Sequence, residues 1–187
     1  MFSGDVTFPA GDWATITLDK AFDYNGYDNL AVILHDRTGQ DINYLTSFQS
    51  FDTESQQSIY AYNDDAAYNP ADMNGKVTAR GLDKQKNRIR LGFESGIVQI
   101  AGGLDETTLT YILPLGDSGY TVSQQIYTKE EIGRSGTIKS ISFFGFVDNR
   151  KVKIYVQGIG DKSDFTDKNE TYSSFCRMRH PSNADSI

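Results

Sequence analysis

One six-residue stretch decides the fold class: Trp13-Ala14-Thr15-Ile16-Thr17-Leu18. Its side chains alternate between two faces, and the face made of Ala14, Ile16 and Leu18 is wholly apolar. Alternation with a period of two is the pattern of a β-strand that buries one face. The stretch therefore predicts a strand packed against a core. We expect Trp13, where this strand begins, to belong to the core.

The same kind of signal recurs along the whole chain. Alternating or continuous apolar segments occupy residues 29–34, 58–62, 88–93, 107–113, 120–127, 137–147 and 151–157. The polar triplet at residues 148–150 predicts a hairpin turn between the last two. The one helical signal is a capping box at residues 128–131, with Gly133 as a stop. About ten strands without a long helix predict an all-β, antiparallel β-sandwich of jelly-roll type with one short helical turn.

Composition and charge exclude several classes of function. The chain has 187 residues, of which 38% are hydrophobic and 23% charged, which is typical of a globular protein. Its formal net charge of −7 disfavours binding to nucleic acid or to an anionic membrane surface. No apolar run approaches the roughly 20 residues of a membrane helix, so we expect no membrane insertion. The single cysteine, Cys176, allows no intrachain disulfide. Residues 1–5 do not resemble a signal peptide, so any secretion would depend on a signal outside this sequence, or the chain is a piece of a longer protein.

Many segments of the chain are similar to parts of one known module. Residues 2–8, 13–19, 22–26, 29–32 and 36–39 resemble its second half, and residues 86–93 resemble its closing strand. Residues 124–133, 136–141 and 152–156 resemble its first half. The module is the repeated β-sandwich of secreted bacterial surface proteins, which is similar to cleaved-adhesin and MAM-like jelly-roll domains. The resemblance implies an extracellular or cell-surface location.

The two halves of this module stand in permuted order. We expect residues 1–95 and residues 119–171 to assemble into a single β-sandwich spanning residues 1–171. Residues 96–118 would connect the halves, and residues 172–187 would form an irregular tail. Half a sandwich exposes an apolar face and unpaired edges, so the halves must close within one chain or between two copies. The chain is then a monomer or a strand-exchanged dimer. Alternatively, it is a segment cut across a tandem array of modules.

The sequence offers little for catalysis, and we expect no enzyme. The histidines are His35 and His180, and no Gly-x-Ser-x-Gly elbow is present. Cys176 lies near His180, but both fall in the expected irregular tail. Asp64 and Asp65 are adjacent, so on a strand they point to opposite faces and do not form the paired carboxylates of a glycosidase.

Calcium binding is better motivated than catalysis. Hard oxygen ligands, which calcium prefers, cluster in one loop at Asp64, Asp65, Asn69 and Asp72. The resemblance also implies calcium, because related jelly rolls use such loops to bind it. Asp36 and Asp41 flank a second turn, where His35 and Arg37 replace the acidic or amide residues typical of the module and weaken the site. The alternative for both loops is that the acids are solvated and hydrogen-bond their own backbone.

Tyrosines crowd the first half of the chain, at Tyr24, Tyr27, Tyr44, Tyr60, Tyr62 and Tyr68. Exposed aromatic faces stack on sugars, but tyrosine is also a common strand residue. Two hypotheses follow. One is a non-catalytic adhesion or carbohydrate-binding module, with a surface glycan or a host or cell-surface protein as partner. The other is a structural spacer without a ligand. Tyrosines exposed together on one concave face favour the first, and buried tyrosines favour the second.

Overall fold

The structure, a computed structural model, describes residues 1–40, 47–68, 79–102, 108–110, 113–116 and 118–168. The strands within these ranges are β1 (Phe2–Tyr24), β2 (Leu30–Asp36), β3 (Ser47–Asp52), β4 (Ser58–Asn63), β5 (Gly81–Asp83), β6 (Gln85–Asn87), β7 (Ile89–Phe93), β8 (Gly96–Ile100), β9 (Thr108–Thr110), β10 (Tyr120–Tyr127) and β11 (Gly136–Gly158). A short helix, α1 (Lys129–Ile132), separates the last two strands. The predicted all-β, antiparallel fold is confirmed.

The strands form one sheet that is organised by two long strands. β1 and β11 run antiparallel to each other over most of their length. The sheet order is β5-β4-β10-β2-β11-β3-β6, and β7 with β8 extends from the first part of β11. The sheet curls into a half-barrel, so the layers expected of a sandwich are two parts of one sheet.

Strands from the two ends of the chain interleave. β10 lies between β2 and β4, and the second part of β11 lies between β2 and the start of β1. Long-range antiparallel pairing therefore brings together residues more than a hundred positions apart in sequence. That these segments correspond to a permuted module stays a prediction.

The helix forms as its sequence predicts. The Thr128 hydroxyl accepts a hydrogen bond from the Glu131 backbone N–H at 3.3 Å, and the Glu131 carboxylate accepts one from the Thr128 N–H at 2.7 Å. This reciprocal pair satisfies two N–H groups that a helix start leaves without partners. Gly133, with φ 66, ends the helix in the left-handed conformation that favours glycine.

The predicted hairpin at residues 148–150 is wrong, because β11 continues straight through this triplet. Val147 pairs with Phe8 and Arg150 pairs with Val6, so two residues of β11 lie opposite one residue of β1. That arrangement is a β-bulge, which admits an extra polar residue without ending the strand. The Arg150 side chain is buried, and its Nη1 donates to the Gln40 carbonyl at 2.6 Å. The pairing of Arg150 with β1 and the burial of its side chain keep the chain extended after the bulge.

The core lies on the inner face of the curled sheet, the face that carries Leu34, Val152 and Ile154. Leu34 and Ile154 are directly paired across β2 and β11. Both are fully buried, in one cluster with residues of the opposite part of the sheet such as Leu91 and Phe143. Burying each such side chain contributes about 1.5–3 kcal/mol, so this cluster holds the two parts of the sheet together.

A smaller cluster covers part of the outer face, the face that carries His35, Lys151 and Lys153. It contains Ile33, Ile59, Val122, Ile126 and Phe165. Phe165 comes from the segment after β11, which is tied down by a hydrogen bond from the Phe165 N–H to the Gln56 carbonyl at 2.7 Å. The outer face is therefore closed over β4 and β10.

The prediction that Trp13 belongs to the core is wrong. Ala14, Ile16 and Leu18 are buried as the alternation requires, so Trp13 points to the opposite face, where it is half-buried. Its ring packs edge-on against Phe144 at 5.5 Å, and the Arg90 guanidinium lies 4.1 Å from its centroid. The indole is thus covered by an arginine rather than by the core.

Candidate functional site

A cavity of about 450 Å³ lies on the outer face, which is within the range of small-ligand sites. Its walls come from β1, from the residue after β2, from the start of β10 and from the second part of β11. The polar side chains that line it are Ser3, Asp5, Arg37, Tyr120, Lys151 and Lys153. Only the sheet pairing brings these distant stretches of sequence together.

Strand register places three cations side by side. Lys151 pairs with Asp5 of β1, and the Arg37 N–H donates to the Lys151 carbonyl at 2.8 Å. Lys153 pairs with Ser3 on one side and with His35 on the other. Side chains directly opposite each other on one face of a sheet stand about 5 Å apart at Cβ. Arg37, Lys151 and Lys153 are therefore immediate neighbours.

These cations form no ion pair within the described part of the chain. None of the ion pairs there involves Arg37, Lys151 or Lys153. Among the described residues, Asp5 is the one carboxylate that lines the cavity. The cavity thus concentrates positive charge on a chain whose formal net charge is −7.

A rigid turn holds the arginine at the cavity. The Asp36 Oδ1 accepts from the Thr38 N–H at 2.8 Å and from the Thr38 hydroxyl at 2.5 Å. The Thr38 oxygen in turn accepts from the Lys151 N–H at 3.0 Å. Burial raises the pKa of Asp36, and the Thr38 hydrogen bonds and the Arg150 charge oppose that rise. Because Arg37 stands between Asp36 and Thr38, its backbone is fixed before any ligand arrives.

His35 lies beneath the cavity wall, beside Lys153. Its side chain is 1% exposed, and neither ring nitrogen has a hydrogen-bond partner among the described residues. The Tyr68 ring lies 6.3 Å away. Burial, together with the charges of Arg37 and Lys153, lowers the pKa of His35 from 6.5 to about 4. The imidazole is therefore neutral at pH 7 and lies within the positive field of the cavity.

Two of the predicted ligand-binding tyrosines lie apart from the others. Tyr24 is 3% exposed in the core, where its hydroxyl donates to the Asp28 carbonyl at 2.7 Å. Its ring has no free face for a sugar. Tyr27 is 79% exposed on a turn held by the Asn25 side chain, which accepts from the Tyr27 N–H at 2.9 Å.

The other predicted ligand-binding tyrosines, Tyr60, Tyr62 and Tyr68, lie on opposite faces of the sheet. Tyr60 and Tyr62 alternate with Ile59 and Ala61, whose side chains belong to the outer cluster. Tyr62 is 38% exposed, and the Arg80 guanidinium lies 5.3 Å from its centroid. Tyr68, by contrast, packs against the outer cluster. The structure therefore does not bring these tyrosines together on one concave face. Tyr44 lies outside the described residues.

The predicted calcium loop is only half described. Asp64 and Asp65 are exposed at the end of β4, and the Asp64 carboxylate accepts from the Gly119 N–H at 3.4 Å. Asn69 and Asp72 lie outside the described residues, as does Asp41 of the weaker second site. Among the residues that the structure describes, no cluster of three or more potential metal ligands occurs. Calcium binding stays a prediction.

A second group of buried polar residues lies at the helix. The Lys86 ammonium, with a fully buried side chain, forms an ion pair with Glu131 at 2.6 Å. It also donates to Gln57 at 2.5 Å and to the Ile126 carbonyl at 3.1 Å. Burial lowers the pKa of Lys86, and Glu131 opposes the shift. Because all three ammonium protons are used, this lysine ties the helix to the sheet and is not a free nucleophile.

Sequence reasoning missed the residues that line the cavity. Lys151 and Lys153 alternate with apolar residues, which indicates only that they lie on the other face of that strand. For Arg37, the sequence predicts only that it weakens a calcium site. The usable signal was three cations at alternating strand positions, but their convergence depends on pairings that the sequence does not display. The predicted Cys176–His180 pair lies outside the described residues.

No family model, curated protein or solved structure matches this chain. Within the described residues, no helix is long and apolar enough to cross a membrane.

Proposed function

We propose that this chain is a non-catalytic binding module of an extracellular or cell-surface protein and that the outer-face cavity is its ligand site. One observation carries the proposal: three cations that form no ion pair with any described residue converge in a concave site whose backbone is already ordered. A solvent-facing sheet surface intersperses charges of both signs, whereas a ligand site collects groups that await a partner.

The ligand we propose is a glycan on a cell or host surface. Ser3 and Tyr120 supply hydroxyl groups, and the half-buried Tyr120 ring supplies an aromatic surface beside the cations. Mixed aromatic, hydroxyl and charged linings bind polar rings that carry many hydroxyl groups. A surface protein is the other partner class, and we propose a monomer rather than a strand-exchanged dimer as the binding form.

The structural spacer is the second candidate function, and the dispersal of the tyrosines favours it. Tyr24 is in the core, and Tyr60 and Tyr68 lie on opposite faces of the sheet. A spacer needs a stable fold but no shared aromatic surface. In that case the cavity cations serve only solubility.

A glycan-array screen of the purified chain separates the two candidates. The screen is run in calcium and in chelator, and a cavity variant, Lys151→Gln with Lys153→Gln, is screened in parallel. The matched control is Lys84→Gln with Lys139→Gln, which removes the same charge at exposed positions outside the cavity. Binding lost only in the cavity variant supports the proposed site. No binding by the folded chain favours the spacer. Binding that disappears in chelator adds calcium to the site.

A further inference from the structure

The charges in the cavity identify a class of ligand within the proposed function. Three cations face one carboxylate in a single concavity. A neutral sugar leaves this charge uncompensated, whereas an anionic group neutralises it. A guanidinium fork binds carboxylate or sulfate oxygens through two parallel hydrogen bonds, and two ammonium groups add further charge-assisted bonds.

The rest of the lining argues for a charged sugar rather than an inorganic ion. The cavity of about 450 Å³ is far larger than a single phosphate or sulfate needs. Tyr120 offers a ring and a hydroxyl, and Ser3 offers a second hydroxyl, at positions flanking the cations. Gly39 abuts the Tyr120 hydroxyl so closely that a Cβ there would lie 2.7 Å from it. The Tyr120 side chain is therefore held in place at the cavity rim.

The buried His35 side chain, which pairs across the sheet with Lys153, responds to the charge of the cavity cations. Arg37 and Lys153 both contribute to the lowering of its pKa, so the two cations act on the same small volume. An anion bound between them would reduce that effect. The occupied cavity is thus expected to raise the pKa of His35.

We propose that the cavity binds an oligosaccharide bearing carboxylate or sulfate groups, with Arg37, Lys151 and Lys153 as the residues that select for the charge. This inference rests on the proposed function, because it specifies the ligand of the same site. Ser3 and Tyr120 contact the neutral part of the sugar.

The test compares matched pairs of sugars by isothermal titration calorimetry. A trisaccharide of galacturonic acid is compared with a trisaccharide of galactose, and keratan sulfate oligosaccharides are compared with their desulfated, neutral form. We expect the acidic member of a pair to bind at least about tenfold more tightly. Its affinity falls as salt rises from about 0.01 M to about 0.15 M, over which the Debye length shortens from about 30 Å to about 8 Å.

Two double variants show whether the preference for acidic sugars depends on the cavity lysines. The pattern of binding separates the charge inference from the proposed binding module. We expect the cavity variant Lys151→Gln with Lys153→Gln to lose the preference for the acidic sugar, and the matched Lys84→Gln with Lys139→Gln control to keep it. Circular dichroism checks that both remain folded. Equal affinity for neutral and acidic sugars overturns the charge inference but leaves the binding module standing. No binding of any sugar overturns both. Equally tight binding of a single-stranded DNA oligonucleotide shows a general polyanion surface and overturns the saccharide assignment.

Discussion

Replacing His35 with leucine tests the electrostatics under the cavity. The imidazole is buried without hydrogen-bond partners among the described residues, beside Val122, Lys153 and the Tyr68 ring. Its pKa is lowered from 6.5 to about 4 in the fold. Between these two pH values, His35 is therefore protonated in the unfolded chain and neutral in the folded chain. The stability that depends on a neutral His35 is fully present above pH 6.5. It is lost as the pH falls from 6.5 towards 4.

The size of the effect follows from the two pKa values. They differ by about 2.5 pH units, and each unit corresponds to about 1.4 kcal/mol, so His35 removes about 3 kcal/mol of stability between pH 7 and pH 4. His35→Leu abolishes this loss because leucine does not titrate. Leucine also removes a buried polar group that has no hydrogen-bond partner in the described part of the chain, which adds about 1–2 kcal/mol of stability at pH 7.

Urea unfolding at a series of pH values measures both effects. The difference in unfolding free energy between His35→Leu and the natural chain cancels the contributions of groups that both share. We expect this difference to grow by about 3 kcal/mol from pH 7 to pH 4. His35→Gln, which is polar but does not titrate, should show the same growth without the gain at pH 7. A difference that stays constant across this pH range would refute the reasoning.

Three further substitutions probe the packing. Glu131→Gln leaves the buried Lys86 charge without its counterion, so we expect thermal unfolding to show a loss of about 3 kcal/mol of stability. An unchanged unfolding midpoint would contradict this. Gln124→Leu replaces a buried amide whose nitrogen and oxygen have no hydrogen-bond partner among the described residues, so urea unfolding should show a gain of about 1 kcal/mol; a loss would contradict this. Gly145→Ala places a Cβ 2.3 Å from the Phe48 ring, so we expect calorimetry to show a loss of about 1–3 kcal/mol of stability. An unchanged stability would contradict this expectation.

The sequence predicts local structure well where one interaction dominates. The alternation at residues 88–93 correctly places Ile89, Leu91 and Phe93 inside, because a strand that buries one face tolerates no other pattern. The capping box at residues 128–131 is formed by groups a few positions apart, so no distant contact is needed to specify it.

Features that depend on distant contacts are not visible in the sequence. The triplet at residues 148–150 suits a turn as well as a bulge, and the pairing with β1 before and after it determines the bulge. The position of Trp13 at the start of a strand predicts a core residue, but the strand phase set by Ile16 turns its side chain outward. The cavity depends on the pairing of residue 37 with the neighbourhood of residue 151, which no local pattern encodes. For that reason the site could be derived only from the fold.

The most direct test of the account is to locate the bound sugar on the protein. A two-dimensional amide NMR titration with a trisaccharide of galacturonic acid reports which residues respond. We expect the largest shifts at residues 3–5, 37, 120 and 151–153, together with a shift of the His35 ring signals. Shifts centred instead on Tyr60 and Tyr62, on Tyr27, or nowhere would contradict the assignment of the cavity as the ligand site.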